Sequence, residues 1–566
     1  MRCCSRFVRL TSSLWMTAYL LLSFAVSDVR LTSAIARDDP VGRVRAAQLE
    51  AVATYTSIGL YWSASAAPGG QATVQYRAVG NREWRQAQPL RHDERRHDVR
   101  GKHIPHWRGS IVGLTADTTY EVAVGTRSAA DVTTVRTWSE RPAIGRQIEL
   151  ALRSEAMLAV REGGSSDAYL LIRPRMGESA TIDAGGRQAH NIYVDAPFVI
   201  IRGLRLGNAR EDAIKLGPRA HDVIIEDNNI SGWGRVDVDG LAVDRDAAVG
   251  TVTEDSQGIR RITIQRNRIH DPRAGANSWV QQRPLHNTSH PLGPHGVFLW
   301  ETGGNHVIRL NDFSSPSGRY YNDVIGGGQN FGTQGAPGPD SDIYGNSISD
   351  CWDDGIESEG GNINVRIWGN RIDRCYIAIG ASPTHVGPLY VFRNLVLGMR
   401  YSPRHAVASG VFIKVQSKMV EERFWGGGRL YVFHNTVRGM FGRHGAYAGI
   451  TPFGTTLRNV ISRNNIFDVS RAAIDDPTGD SSNDLDYDLL GALTLRSPAT
   501  VTQPHGLRRR PVFSFRTSPP GTLSEGSPGR DDGEVLANFN DGFLGSRPDR
   551  GAQEAGAPAM LFGIPR

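Results

Sequence analysis

The chain has 566 residues, with 64 Lys and Arg against 58 Asp and Glu, 64 Gly, 29 Pro and 4 Cys. That length allows more than one domain with a large core, and 22% charged with 8% aromatic residues exclude wholesale disorder. The formal charge of +6 falls to about +3 once the basic leader is discounted. This is no nucleic-acid footprint, and Arg508-Arg509-Arg510 reads as a solvated loop.

The leader carries Arg2, Arg6 and Arg9, then the apolar stretch Leu14–Val26, then the small-x-small site Ala34-Ile35-Ala36. This is the pattern of a signal peptide over residues 1–36, cleaved near Ala36. The apolar run is short for a membrane span, and no later segment is long and apolar enough to be one. A secreted or periplasmic mature protein is expected.

Residues 43–140 alternate in short strands. Tyr55–Ser63 ends near Trp62, Ala72–Gly80 carries Tyr76, and Leu114 precedes Tyr120 by six residues. Such spacing predicts a β-sandwich. The Leu-x5-Tyr arrangement with Trp62 resembles fibronectin type III domains, which implies a spacer or docking module. The charged stretch Arg91–Lys102 is expected to be an exposed loop.

From 146 to 470 one phrase recurs: an apolar β-branched run, Asn, any residue, then Ile, Val or Phe. Its Asn residues are Asn228, Asn267, Asn311, Asn346, Asn370, Asn394, Asn435 and Asn464, and the intervals 346–370 and 370–394 are 24 residues each. Strand-like units at that period predict the coils of a β-solenoid, with the Asn side chains stacked in a ladder and apolar columns on either side. Glu149–Gly163 is expected to form a short amphipathic helix capping the first coil. Longer intervals mark loops that build a binding groove on one side. The repeat resembles the right-handed parallel β-helix of pectate lyases and polygalacturonases. It implies an all-β protein, a right-handed parallel β-helix preceded by a fibronectin type III-like sandwich. Residues 471–566 read as an extension packing along the stack.

Cys3 and Cys4 leave with the leader. Cys351 and Cys375 are 24 apart, each five residues after a ladder Asn, where later coils carry Met399 and Met440. Adjacent coils are close enough for a disulfide, but the Met neighbours point to an apolar inward column and to reduced, buried thiols.

Each Asn strand is followed by a second strand, and stacking those strands brings Asp323 beside Asp354, with Asp353, Glu357 and Glu359 near. Like charges at short range raise one another's pKa and cost stability. They suit glycosidic cleavage, which needs a proton donor and a base for water; acid clusters also hold Ca²⁺, or form solvated turns. The Asn322-Asp323 and Asp353-Asp354 pairs resemble the polygalacturonase-type pattern. On that likeness Asp354 is the acid, Asp323 and Asp353 activate water, and Lys414 in Phe412-Ile413-Lys414 holds a substrate carboxylate or hydroxyl. The His and Arg of that pattern are missing, since Ile379-Gly380 takes the place of the His-bearing motif. Glu357-Ser358-Glu359 resembles the calcium site of lyases similar to chondroitinase B, with Asn322 or Asn330 as a third ligand, but their catalytic Lys is absent.

His295, Trp352, Asn322 and Glu301 are candidate substrate contacts. Trp279, His286 and His290 lie in the preceding loop, where Pro284 and Pro291 argue against a helical zinc pair. Trp300, Trp368 and Trp425 are further candidates for sugar stacking. The reading is an exported protein, expected as a monomer, that cleaves an extracellular polysaccharide by acid/base hydrolysis without a required cofactor. The alternatives are a Ca²⁺-dependent lyase and a non-catalytic glycan-binding protein.

Overall fold

The repeated strands wind into a right-handed parallel β-helix in the computed structural model. The structure describes residues 43–565 except 46–47, 65–69, 94–103, 127–129, 237–244, 278–291, 317, 328–334, 401–409, 421–422, 440–446, 492–502 and 515–517. The expected leader, Trp279, His286, His290, Asn330, Met440 and residues 94–102 of the charged stretch lie outside these residues.

Three parallel sheets run along the stack, of twelve, eleven and ten strands, here called A, B and C. One coil shows the plan: Val365–Trp368 lies in A, Arg371–Asp373 in B and Ile377–Gly380 in C. The next coil repeats it in register, pairing Ile367 with Val391, Ile372 with Val396 and Ile379 with Ile413. These six side chains are fully buried in one continuous core. Burial of each aliphatic side chain contributes about 1.5–3 kcal/mol, so the apolar columns lock the register.

The turn between A and B carries the Asn ladder. The Asn370 Oδ1 accepts from the backbone N–H and Nδ2 of Asn346, both at 3.0 Å; its own Nδ2 donates to the Ile343 carbonyl at 2.9 Å and to Asn394 Oδ1 at 3.0 Å. The stack runs from Asn228 through Asn435 and ends where the Asp488 carboxylate accepts from Asn465. The last rung is therefore Asn465, a correction to the expected Asn464. The residue before each rung is left-handed, at φ 65° for Gly345, 60° for Gly369, 52° for His434 and 59° for Asn464. Asn tolerates that conformation, so Asn464 takes the turn and Asn465 the rung. Asn370→Leu is expected to cost about 3 kcal/mol, because it strands the Asn346 donors and the Ile343 carbonyl in a dry interior. Denaturant titration measures this.

Two further expectations are corrected. Glu149–Gly163 forms no helix: Ile144–Leu150, Arg153–Ser154 and Leu158–Val160 are the three strands of the first coil, each paired to the next. Strands this short leave no period long enough to separate the two readings. Cys351 and Cys375 form a disulfide, with Cα atoms 4.7 Å apart. Both face the apolar interior, as the Met399 neighbour suggested, and stacking on adjacent coils also places them within bonding distance.

Residues 43–136 form an eight-stranded antiparallel sheet whose ends curl towards each other around Trp62 and Trp107, rings 5.9 Å apart. Tyr120 Oη accepts the Thr115 N–H at 3.0 Å, pinning the turn after Leu114. This module lies against the outer face of sheet A. Arg366 and Asp342, both fully buried, pair there at 2.6 Å. Arg366 also donates to Ser110 Oγ at 3.2 Å, Thr54 donates to Asp342, and Tyr61 donates to Asp340 at 2.8 Å. A Cβ on Gly59 would come within 2.1 Å of Asp340 Oδ1, so Gly sits where the two surfaces touch.

The C-terminal segment runs back along the stack. Gly551 donates to the Asn464 carbonyl, Ala552 to Thr436 Oγ1, and Gly563 to the Gly345 carbonyl. Phe539 packs on Tyr390, Phe392 and Phe433, beside the stacked rings of Tyr344 and Trp368. Trp368 thus belongs to the packing between layers. Among the described residues no helix is long and apolar enough to cross a membrane.

Candidate active site

Along sheet C two consecutive residues point inward on each of these coils: Val324-Ile325, Gly355-Ile356, Ala378-Ile379 and Phe412-Ile413. The residues on either side then face outward, so positions three apart share one outer face. That is why Asp354 and Glu357 emerge together. The Ile325–Ile356 pairing sets Asp323 beside Asp354 on adjacent coils, and Glu357, Gly380 and Lys414 follow one another in register.

Asp323, Asp353 and Asp354 each offer an oxygen within 4.8 Å of the others, and so do Asp354, Glu357 and Glu359. The acids predicted to meet are thus brought together. Asp354 donates its backbone N–H to Asp323 Oδ1 at 2.9 Å, and Asn322 Nδ2 donates to Asp323 Oδ2 at 3.1 Å. Asp323, Asp354, Glu357 and Glu359 are buried, whereas Asp353 is half-buried at the edge.

Burial, and then the charges of Glu357 and Asp353, push the Asp323 carboxyl well up. Asp354 is also raised by burial, with Lys414 opposing the shift. Desolvation raises Glu359 against the same opposing Lys414. Asp323 and Asp354 thus form a pair that holds a proton beyond the ordinary carboxylate range. Such groups stabilise the fold below their unfolded pKa near 4, and this contribution is lost as pH rises through the folded values. Thermal unfolding is therefore expected to show the midpoint falling as pH rises above the ordinary carboxylate range. Asp323→Asn flattens that fall, leaving the variant more stable than wild type at the alkaline end.

Lys414 differs from the expectation of a free substrate contact. Its Nζ lies 3.1 Å from Asp354 Oδ2 and 3.2 Å from Glu359 Oε1, and only 8% of the residue is exposed. Burial opposes its charge, but Asp354 and Glu359 outweigh it and hold the ammonium protonated, well above the usual lysine range. The approach runs over Gly380, where a Cβ would stand 2.1 Å from Asp354 Oδ2 and 3.3 Å from Glu359 Oε1. Gly380, seen in the sequence only as a place without His, is the gap that lets these groups converge.

Other candidates are redistributed. His295 is 1% exposed, with Nδ1 3.7 Å from Asp323 Oδ2 and its ring edge-on to Phe298, so it supports Asp323 and does not line a surface. Asn322 orients Asp323 and accepts the Asp353 N–H through its carbonyl. Glu301 stands apart from both acid groups, at a left-handed turn where its carbonyl accepts from Ser256 Oγ. Trp352 packs edge-on to Tyr320 at 5.0 Å, with the Arg400 guanidinium 5.1 Å from its ring. Trp300 is buried and stacks with Phe298, while Trp425 is buried beside His385.

Two contributors were missed. Tyr376 follows Asp353 by one coil, and burial with the charges of Asp353 and Asp354 pushes its phenol up to about 12. The Ser382 N–H donates to Glu359 Oε1 at 3.1 Å. Tyr376 was legible as the leading position of its strand; Ser382 was not, because a backbone donor carries no side-chain signal.

Oxygen donors suit a hard cation such as Ca²⁺. Here, however, an ammonium lies against two of the three oxygens that such an ion would take, so Glu357 and Glu359 with Asp354 do not fit a calcium centre while Lys414 stays in place.

No family model and no curated protein matches the chain. Among solved structures it is similar to the pectate lyase Pel9A, at 12% identity and a TM-score of 0.34, over 73% of this chain and 86% of that one. It is also similar to the catalytic unit of a GH87 alpha-1,3-glucanase from Streptomyces thermodiastaticus, at 11% identity and a TM-score of 0.25, over 80% and 91%. A third is the Agl-KA catalytic domain, at 12% identity and a TM-score of 0.28, over 82% and 90%. The parallel β-helix itself follows from the strand pairing.

Proposed function

We propose that this protein is an exported glycoside hydrolase that cleaves an extracellular polysaccharide at the Asp323, Asp353 and Asp354 cluster. The observation that carries the reading is three carboxylates meeting from adjacent coils in unlike environments, two buried and one at the edge. Groups whose surroundings differ in this way divide acid and base work between them. Asp354 gives its proton to the glycosidic oxygen as that bond to the anomeric carbon breaks. Asp353, the acid nearest solvent, takes a proton from the water that attacks the same carbon. Asp323 shares the retained proton with Asp354, and Asn322 and His295 position it. The disulfide supports an oxidising compartment, in line with the leader sequence.

Two other readings stay distinct. A lyase needs a base for the C5 proton, and Lys414, held protonated by two carboxylates, is poorly suited to be that base. A non-catalytic role for the cluster is favoured by one observation: most of it is closed to solvent, as a structural ion network is. A polysaccharide panel scored for new reducing ends and for ultraviolet-absorbing unsaturated ends separates the three. Reducing ends without ultraviolet absorbance support hydrolysis. Absorbing ends move the assignment to elimination, and tight binding without product leaves a binding protein.

A further inference from the structure

We propose that the Lys414 ammonium is the resident cation of the Asp354–Glu357–Glu359 oxygen cage, holding the place of a divalent ion, and that its removal opens a divalent-cation site. The inference concerns how the cage is neutralised and stands whichever bond the protein cleaves. Three carboxylate oxygens lie within 4.8 Å of one another. Oxygens bound to one Ca²⁺ at about 2.3–2.6 Å are separated by no more than about 5 Å, so the cage already has the span of a calcium shell.

The cage is also held in shape from outside. The Gly327 N–H donates to Glu357 Oε2 at 3.2 Å and the Ser382 N–H to Glu359 Oε1 at 3.1 Å. These donors fix the two carboxylates independently of whatever cation sits between them. Gly380 supplies the opening, since any side chain there would fill it. Lys414 enters from the coil beyond, two coils from Glu357 in the register, and places its charge 3.1 and 3.2 Å from two of the three acids.

An ammonium brings one charge to a group of up to three, and it donates hydrogen bonds at longer range than metal coordination. With Lys414 present, a divalent ion meets a like charge at contact distance, which excludes it. With Lys414 truncated, the same oxygens lose their cation in a buried site, and a hard dication competes with protons to neutralise them. A second consequence concerns substrate: Lys414 is committed to Asp354 and Glu359, so it is not free to hold a uronate carboxylate.

The test uses the full folded chain, with Tb³⁺ luminescence and Ca²⁺ calorimetry on wild type, Lys414→Met and Lys414→Met with Glu359→Gln. Wild type is expected to bind neither ion at up to about 1 mM, while Lys414→Met binds at least about 100-fold more tightly and loses that binding when Glu359 is neutralised. If Lys414→Met folds poorly, Ca²⁺ is expected to restore its circular dichroism and raise its unfolding midpoint, and Lys414→Gln is read in the same way. Ca²⁺ binding by wild type as tight as by Lys414→Met overturns the proposal. So does a folded Lys414→Met that binds no better than wild type, or variants that stay unfolded with and without Ca²⁺. None of these readouts involves glycan cleavage, so this proposal and the hydrolase reading fail separately.

Discussion

Asp354→Asn is expected to lower glycan cleavage by about 10³-fold, the loss typical when a positioned proton donor is removed. Asn is nearly isosteric and keeps the backbone N–H that Asp323 Oδ1 accepts. It cannot deliver the proton. One oxygen of Asp354 lies 3.1 Å from the Lys414 ammonium, and Oδ1 accepts no hydrogen bond from any described residue, so a proton carried on Oδ1 would displace no existing bond. Initial rates of reducing-end release, measured beside far-ultraviolet circular dichroism and a thermal midpoint, decide the matter.

The same variant separates catalysis from structure. Neutralising Asp354 removes one partner of a buried ammonium, which destabilises, but it also relieves repulsion with Asp323, Asp353 and Glu357, which stabilises. These effects oppose each other, so a small change in midpoint with a large loss of rate is the signature of a catalytic acid. An unchanged rate retires the assignment, and a collapse in stability with proportionate loss of activity makes the cluster a structural ion network. A pH profile adds an independent check. Because the Asp323–Asp354 pair keeps a proton above the ordinary carboxylate range, activity is expected to fall on the alkaline side as that proton is lost.

What could be read beforehand depended on whether the signal was periodic. The ladder and the inward columns repeat on every coil, so Asn346, Asn370 and Asn394 at equal spacing announced both the architecture and the register that brings Asp323 to Asp354. Where two neighbouring residues satisfied the same pattern, the sequence was silent. Asn464 and Asn465 both have an apolar residue two positions on, Ile466 and Phe467, and the left-handed φ of the first distinguishes them. The ion pairs of Lys414 with Asp354 and Glu359 were not legible, because they depend on the space above Gly380, a property of a missing side chain. The thiols were misjudged because inward apolar packing and disulfide bonding draw on the same column. Nothing periodic marks the docking of the first module on sheet A, since its contacts are single side chains hundreds of residues from their partners.

That docking gives the second large effect: Arg366→Met is expected to cost about 3–5 kcal/mol, the usual price of leaving one member of a buried pair alone. Asp342 and Arg366 face outward from adjacent strands of sheet A and are fully buried by the N-terminal module. The guanidinium bonds Asp342 Oδ1 at 2.6 Å, the Asp340 carbonyl at 2.9 Å and Ser110 Oγ at 3.2 Å. Met fills much of the volume but satisfies none of these groups, and Asp342 loses its guanidinium partner while keeping the bond from the Thr54 hydroxyl. Paired with Asp342→Leu, the same substitution removes both charges, and most of the loss should return, because a desolvated pair is worth little more than well-packed apolar groups. A denaturant-unfolding cycle over the two single variants and the double variant measures the coupling. If the module were an independent spacer, Arg366→Met would leave the main unfolding transition in place. The buried pair instead predicts that the transition shifts as a whole, since the sheet face and the module that covers it lose their shared neutraliser together.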